Sequence, residues 1–344
     1  MAVSIAAFRH RLQAVFSSER VPRRHVIALG IDGIRYDLAC LAWRRARVTR
    51  AQSVFPTTSA TAWLTALTGS SVEEHGIPGV VFACPDEPGS LIDVYTYRGT
   101  LGTGPNHNVF TDAARAGYAP IAILGELQHT VCTWRDLLLH HAHSIDGDAL
   151  FANLDSPLAP AALGERLAAT IEQVLANRDV PCFVWCFIDT DRYIHRNGYD
   201  DVLINFLERV DEIAAGWAHR AVVLAHSDHG LVTTRHDPIV ANVFERVIAE
   251  HKCRMGGAGR TRWLYVDAIA EPQVRDELAR GLPASVCVHH ADEVFAPGSL
   301  ARQRVGSIVV EARGDSFIAA DGDRFEHGSS TPLELDVPIA EWRC

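Results

Sequence analysis

The chain has 344 residues, nearly half of them apolar, enough for a sizeable core but short for two large domains. With 32 Lys and Arg against 42 Asp and Glu, a net charge of −10 argues against a nucleic-acid polymer as the main partner. No apolar run reaches membrane-spanning length, and the eight cysteines contain no CxxC pair, which reads as the reduced thiols of a cytoplasmic protein.

In chain order, "MAVSIAAFRHRLQAVF" has the pattern of a short amphipathic helix, without the apolar stretch and cleavage site of a signal peptide. "HVIALGID" (25–32) is predicted as a buried strand. "FPTTSATAWLTALTG" (55–69) sets three hydroxyl residues, Thr57, Thr58 and Ser59, directly before an apolar helical pattern. They read either as ordinary capping or as holding a nucleophile. The helical pattern "NVFTDAARAG" precedes the strand "APIAILG" (119–125). The helical "LGERLAATIEQVLANR" precedes the strand "CFVWCFID" (182–189), and "DVLINFLERVDEIAAGWA" precedes "AVVLAHSD" (221–228). Continuous apolar strands alternating with amphipathic helices predict an α/β fold, a doubly wound, mostly parallel sheet with helices on both faces. Residues 241–315 break this rhythm and are expected to form a small α+β cap insertion, with 1–240 and 316–344 as the core.

Functional groups of such folds gather beyond the carboxyl ends of the strands. Three of the predicted strands end in Asp: Asp32, then Asp189 and Asp191, then Asp228. One such Asp is ordinarily a turn or cap residue. Here Asp191 is followed by His195 in "DTDRYIH", Asp228 by His229 in "SDHG", and His327 sits in "FEHGSS". Asp32, Asp191, His195, Asp228, His229 and His327 thus form a set of six candidate ligands for divalent metals. Asp189 reads as a turn or supporting residue, and His226 as a packed strand histidine. A helix starting near Ser59 would aim free N–H groups at an anion such as phosphate, and a nearby metal would activate a hydroxyl there.

The series "FPTTS", "LTG", "HGI", "DTDRYIH", "SDHG" and "EHG", in that order, resembles the type I phosphodiesterase/nucleotide pyrophosphatase branch of the alkaline phosphatase superfamily. The resemblance implies that Ser59 stands at the position of the nucleophile, where Thr is usual, with Thr58 the fallback if the register shifts by one. It implies two divalent ions, zinc or manganese, one held by Asp191, His195 and His327 and the other by Asp32, Asp228, His229 and the nucleophile oxygen. It implies hydrolysis of small phosphodiesters or nucleotide pyrophosphates through a covalent phospho-Ser59 intermediate. The phosphate-binding Asn of the family has no counterpart at the matching position, and Asn106 and Asn108 in "GPNHNVF" are named as replacements. Thr58 and Trp63 are further expected substrate contacts, although a Trp on a helix face also reads as core. A phosphomonoesterase or phosphonate hydrolase on the same scaffold is the alternative reading, and a catalytically weak metal-binding protein the reading from another class. No "GxSxG" elbow supports a Ser-His-Asp hydrolase, and no Cys/Ser-x-Pro-x-Arg context supports a sulfatase.

Overall fold

The computed structural model of the chain describes residues 3–18, 24–102, 107–151, 159–176 and 178–343. Its centre is an eight-stranded sheet in the order Val3–Ser4, Ala46–Gln52, Asp336–Trp342, Ala221–His226, His25–Ile31, Cys182–Ile188, Ala119–Ile123, His143–Ile145. Every neighbouring pair is parallel except those made by Asp336–Trp342, which runs antiparallel to both of its neighbours.

The apolar runs explain the layering. Side chains alternate across a strand, so a strand covered on both faces must be apolar at every position. Val26 and Ala28 face one core while Ile27, Leu29 and Ile31 face the other. Likewise Phe183, Trp185 and Phe187 point to the first core, and Val184, Cys186 and Ile188 to the second. The first core is covered by helices Ala7–Ser17 and Ser59–Thr68, the second by Pro160–Ala176 and Asp201–Trp217. A side chain at Gly30 would meet the Trp185 ring at 2.9 Å, so glycine is what lets that ring lie against the strand.

A second, antiparallel sheet has the order Val286–His290, Ile308–Ala312, Thr261–Tyr265, Arg254–Ala258, Val81–Ala83, Leu91–Asp93. Its own core joins Val240 and Phe244 to Leu264, Leu278, Ile308 and Phe317. This unit therefore reaches outside 241–315. Its supporting helix begins at Pro238, Phe317 closes its core, and two three-residue strands come from residues 81–93. Strands that short show no readable alternation in sequence. Among the described residues, no helix is long and apolar enough to cross a membrane.

Candidate active site

The strand His25–Ile31 ends at Asp32, and Gly33 turns the chain there with φ +81°. That turn aims the Gly33 N–H at Asp228 Oδ1 (3.1 Å) and the Ile34 N–H at Ser227 Oγ (2.8 Å), tying together the ends of two adjacent strands. The strand Cys182–Ile188 passes through Asp189 into the helix Asp191–Asn197, where Asp191 and His195 share one face at i, i+4 spacing. The chain returns from the second sheet through Phe325–Glu326, which pairs with Val232–Thr233 and delivers His327 to the same edge.

The side chains meet at short range. His195 Nε2 lies 3.1 Å from Asp191 Oδ2, and His327 Nε2 lies 3.9 Å from Asp191 Oδ1. His229 Nε2 lies 3.1 Å from Asp228 Oδ2 and 3.6 Å from Asp32 Oδ1. Asp191, His195 and His327 form one group able to hold a cation; Asp32, Asp191 and His229 form a second beside it. Among the described residues, the buried oxygens Asp191 Oδ1 and Asp228 Oδ2 have no hydrogen-bond partner. A carbonyl can only accept, so His327 Nδ1, 2.7 Å from Thr57 O, carries the proton and leaves Nε2 as a lone pair turned inward. His195 Nδ1 is fixed in the same way by Phe325 O and Glu326 Oε1, each at 2.8 Å.

The three hydroxyls divide their work. Thr57 is buried, donates to Ser329 O (2.7 Å) and accepts from Gly328 N (2.9 Å), so it anchors the His327 segment. Thr58 is buried at the start of the helix and pairs with Thr61 Oγ1 at 3.0 Å. Only Ser59 reaches the open cleft, its Oγ 3.0 Å from His229 Nε2 and 3.5 Å from Asp32 Oδ1. It is the first residue of the ten-residue helix Ser59–Thr68, whose leading N–H groups lack intrahelical partners.

Other expected contacts fall elsewhere. Trp63 is fully buried and its Nε1–H donates to Asp32 Oδ2 (3.2 Å), so it orients a carboxylate while its ring edges the cleft. Asn108 is engaged within the protein. It caps the helix Val109–Arg115, accepting from Phe110 and Thr111 N–H, and its amide donates to Leu138 O and His140 O. Asn106 lies outside the described residues. His226 is a core residue, receiving the Trp185 Nε1–H (3.1 Å) and stacked on Phe8.

A cleft of about 350 Å³ opens beside Ser59, walled by Tyr95, Trp134 and Phe187 and bearing Glu126, Asp189 and Arg192. Tyr95 packs edge-on against Trp134 and lines the cleft beside Ser59. Neither Tyr95 nor Glu126 stands in a recognisable motif. Glu326, by contrast, directly precedes a predicted ligand and was legible as its neighbour.

The electrostatics are those of crowded negative charge. Burial first, then the charges of Asp228 and Asp191, push Asp32 well above the usual carboxyl range. Burial also raises Asp228 to about 6. Burial, Asp191 and Glu126 raise Asp189 to about 7. Burial opposes ionisation of Asp191 too, but His195 and His327 outweigh it and hold the group low. Burial lowers His229 to about 4. Against burial, Asp191 and Glu326 lift His195 to about 12, a proton with which a cation at the same place would compete. Burial and the surrounding carboxylates push Tyr95 well above its usual value, so it remains a neutral O–H donor.

The family model for type I phosphodiesterase / nucleotide pyrophosphatase matches residues 26–330, a span that holds every element of this cleft. The chain belongs to that family. The family is metal-dependent and acts on phosphoesters. No curated protein sequence matches. Among solved structures, the fold is similar to murine ectonucleotide pyrophosphatase / phosphodiesterase 5, with 16% identity, TM-score 0.65 and coverage of 92% of this chain and 88% of the other. An inactive variant of that protein in complex with AMP is similar at 16% identity and TM-score 0.65, covering 92% and 87%. Phosphonoacetate hydrolase from Sinorhizobium meliloti 1021, in complex with phosphonoformate, is similar at 19% identity and TM-score 0.68, covering 94% and 90%. At these identities the likeness is one of fold, and both neighbours are of the alkaline phosphatase superfamily.

Proposed function

We propose that this chain hydrolyses small phosphodiesters or nucleotide pyrophosphates by two successive displacements at phosphorus, with Ser59 as the nucleophile. The observation that carries the reading is the position of Ser59 Oγ. It is the one open hydroxyl of the three, at a helix N-terminus, 3.0 Å from His229 and beside Asp32.

The donor set fits divalent cations. Two buried carboxylate oxygens lack partners, two imidazoles are fixed with Nε2 inward, and carboxylates repel one another across the gap. Asp191, His195 and His327 would hold one ion, and Asp32, Asp228, His229 and Ser59 Oγ the other, with zinc or manganese suited to such oxygen and nitrogen ligands. When bound, such ions neutralise phosphoryl charge and favour the ionised form of a nearby hydroxyl.

The chain's own residues supply the rest. The leading N–H groups of Ser59–Thr68 face a phosphoryl oxygen, and the Tyr95 O–H donates to another. A bond forms between Ser59 Oγ and phosphorus, the serine proton is released, and the bond to the leaving alcohol or phosphate breaks. Water then cleaves the Ser59–phosphorus bond and restores the hydroxyl, so that one water is consumed per turnover. Outside the ligand set the cleft carries Glu126 and Asp189 against the single Arg192, so it offers little extra positive charge to hold a dianionic monoester in preference to a singly charged diester. A second reading, phosphonate or phosphomonoester hydrolysis, draws on Arg192 and on the likeness to phosphonoacetate hydrolase.

The test is turnover of bis-p-nitrophenyl phosphate, p-nitrophenyl phosphate and p-nitrophenyl phenylphosphonate by zinc-loaded protein. Highest kcat/KM is expected for the diester, with loss of turnover in EDTA and recovery with zinc or manganese. A clear preference for the monoester supports the second reading; metal-independent turnover contradicts both.

A further inference from the structure

The rings of His229 and His327 stack at 3.8 Å with 15° between their planes, yet each serves a different one of the two proposed cation sites. Their spacing therefore bears on the separation of those sites. The rings sit on separate segments. His229 follows the core strand Ala221–His226, and His327 follows Phe325–Glu326 on the return from the second sheet.

Glu334, in the four-residue helix Pro332–Leu335, bonds to both segments. Its backbone carbonyl accepts from the Gly230 N–H (3.0 Å), directly after His229. Its side-chain Oε1 accepts from the Ser329 N–H (2.9 Å), two residues after His327. Glycine at 230 permits this approach, since a side chain there would meet Leu333 O at 2.2 Å. Glu311 takes the next N–H, that of Ser330, at 2.6 Å, so two carboxylates grip the segment beyond His327. Glu334 is in turn paired with Arg260, whose Nε lies 3.2 Å from Oε1, and the two side chains are 1% and 0% exposed. Arg260 comes from the turn between the strands Arg254–Ala258 and Thr261–Tyr265 of the second sheet. Thr234 Oγ1 (2.8 Å) and Gly314 O (2.7 Å) fix its guanidinium, and its own N–H donates to His327 O (2.8 Å).

An ion pair buried this deeply is a poor stabiliser, because apolar residues of similar volume fill such a space as well or better. What Arg and Glu add is direction, since each charge-assisted bond holds a particular backbone group in place.

We propose that Glu334, locked by Arg260, is a positioning residue that holds His327 against His229 and so governs retention of the cation bound by Asp191, His195 and His327. This rests on the two-cation reading above. It gives the second sheet a part in the site, through a hairpin that clamps the His327 segment.

Zinc content of the full chain after dialysis against graded chelator tests this, with melting of the metal-free protein measured alongside. The parent is expected to hold two zinc ions per chain, and Glu334→Ala to release one of them at about tenfold lower chelator. Glu334→Ala should also melt lower, since it strands the buried Arg260 charge. Arg260→Met/Glu334→Leu removes both charges and should recover the melting temperature but not the lost zinc. A merely structural pair would recover both together, and that result overturns the proposal. If Glu334→Ala folds poorly, Glu334→Gln keeps the shape without the charge and should release the same ion at about threefold lower chelator. Zinc retention equal to the parent's in these variants also overturns the proposal. A parent that holds no zinc contradicts the two-cation reading itself, and this proposal with it.

Discussion

The two ends of the main sheet carry opposite chemistry on a shared apolar body. At the carboxyl ends of the parallel strands, buried Asp32, Asp228 and His229 crowd against the partly exposed Asp191, His195 and His327. At the strand starts, Arg11, Arg24, Arg47 and Arg343 surround an open cavity. Between them the central strands are apolar from Val26 to Ile31 and from Cys182 to Ile188. The acidic end is built from residues adjacent to strand ends, whereas the basic end is built from inward positions of a half-covered face. The first presents buried carboxylate oxygens with no hydrogen-bond partner among the described residues, the second a set of largely solvent-exposed arginines.

Ser59→Ala should break the acidic end hardest. We expect a loss of at least about a thousandfold in kcat/KM for the diester, because an activated nucleophile cannot be replaced by its neighbours. Melting should change little, since the lost oxygen is partly exposed and the change falls within about 0.5 kcal/mol. Thr58→Ala, whose hydroxyl pairs with Thr61, should instead cost about 1 kcal/mol of stability and little activity. Reversal of these two results would move the nucleophile by one residue.

Tyr95→Phe removes one donor beside Ser59 and should lower kcat by about a hundredfold with little change in KM. An equal effect on KM alone would reassign Tyr95 to ground-state binding. Glu326→Gln loosens the support of His195 and should weaken zinc retention about tenfold, read as metal content after dialysis against graded chelator. Unchanged metal content would mean that Phe325 O alone fixes the ring. The smallest effect on catalysis belongs to the basic end. Arg47→Gln should leave diester turnover within about twofold of the parent, since it sits at the far edge of the sheet.

The four adjacent strands His25–Ile31, Ala119–Ile123, Cys182–Ile188 and Ala221–His226 were legible to within about two residues because a strand buried on both faces must be apolar throughout, whereas the half-covered Ala46–Gln52, with Arg47, Thr49 and Arg50, carried no such run. The Asp and His set was legible because each member follows a strand end or lies one helical turn from another. The fate of Asn108 was not, since a short polar side chain before a helix reads the same whether it caps or binds. Tyr95 was hidden for a different reason. It is positioned by packing against Trp134, and nothing local marks it. The arginine cavity was equally hidden, because residues 11, 24, 47 and 343 share no motif and meet only through sheet register. The smaller sheet's edge strands, three residues each, carried no periodic signal.

In the proposed reaction Ser59 bonds to phosphorus during turnover. Acid quenching of the zinc-loaded protein during hydrolysis of bis-p-nitrophenyl phosphate, followed by peptide mass analysis, measures this directly. A p-nitrophenyl phosphoryl adduct on Ser59 is expected to appear within one turnover and to be absent from Ser59→Ala. An adduct on Thr58, or full turnover with no adduct on any residue under conditions that trap phosphoserine esters, would contradict it.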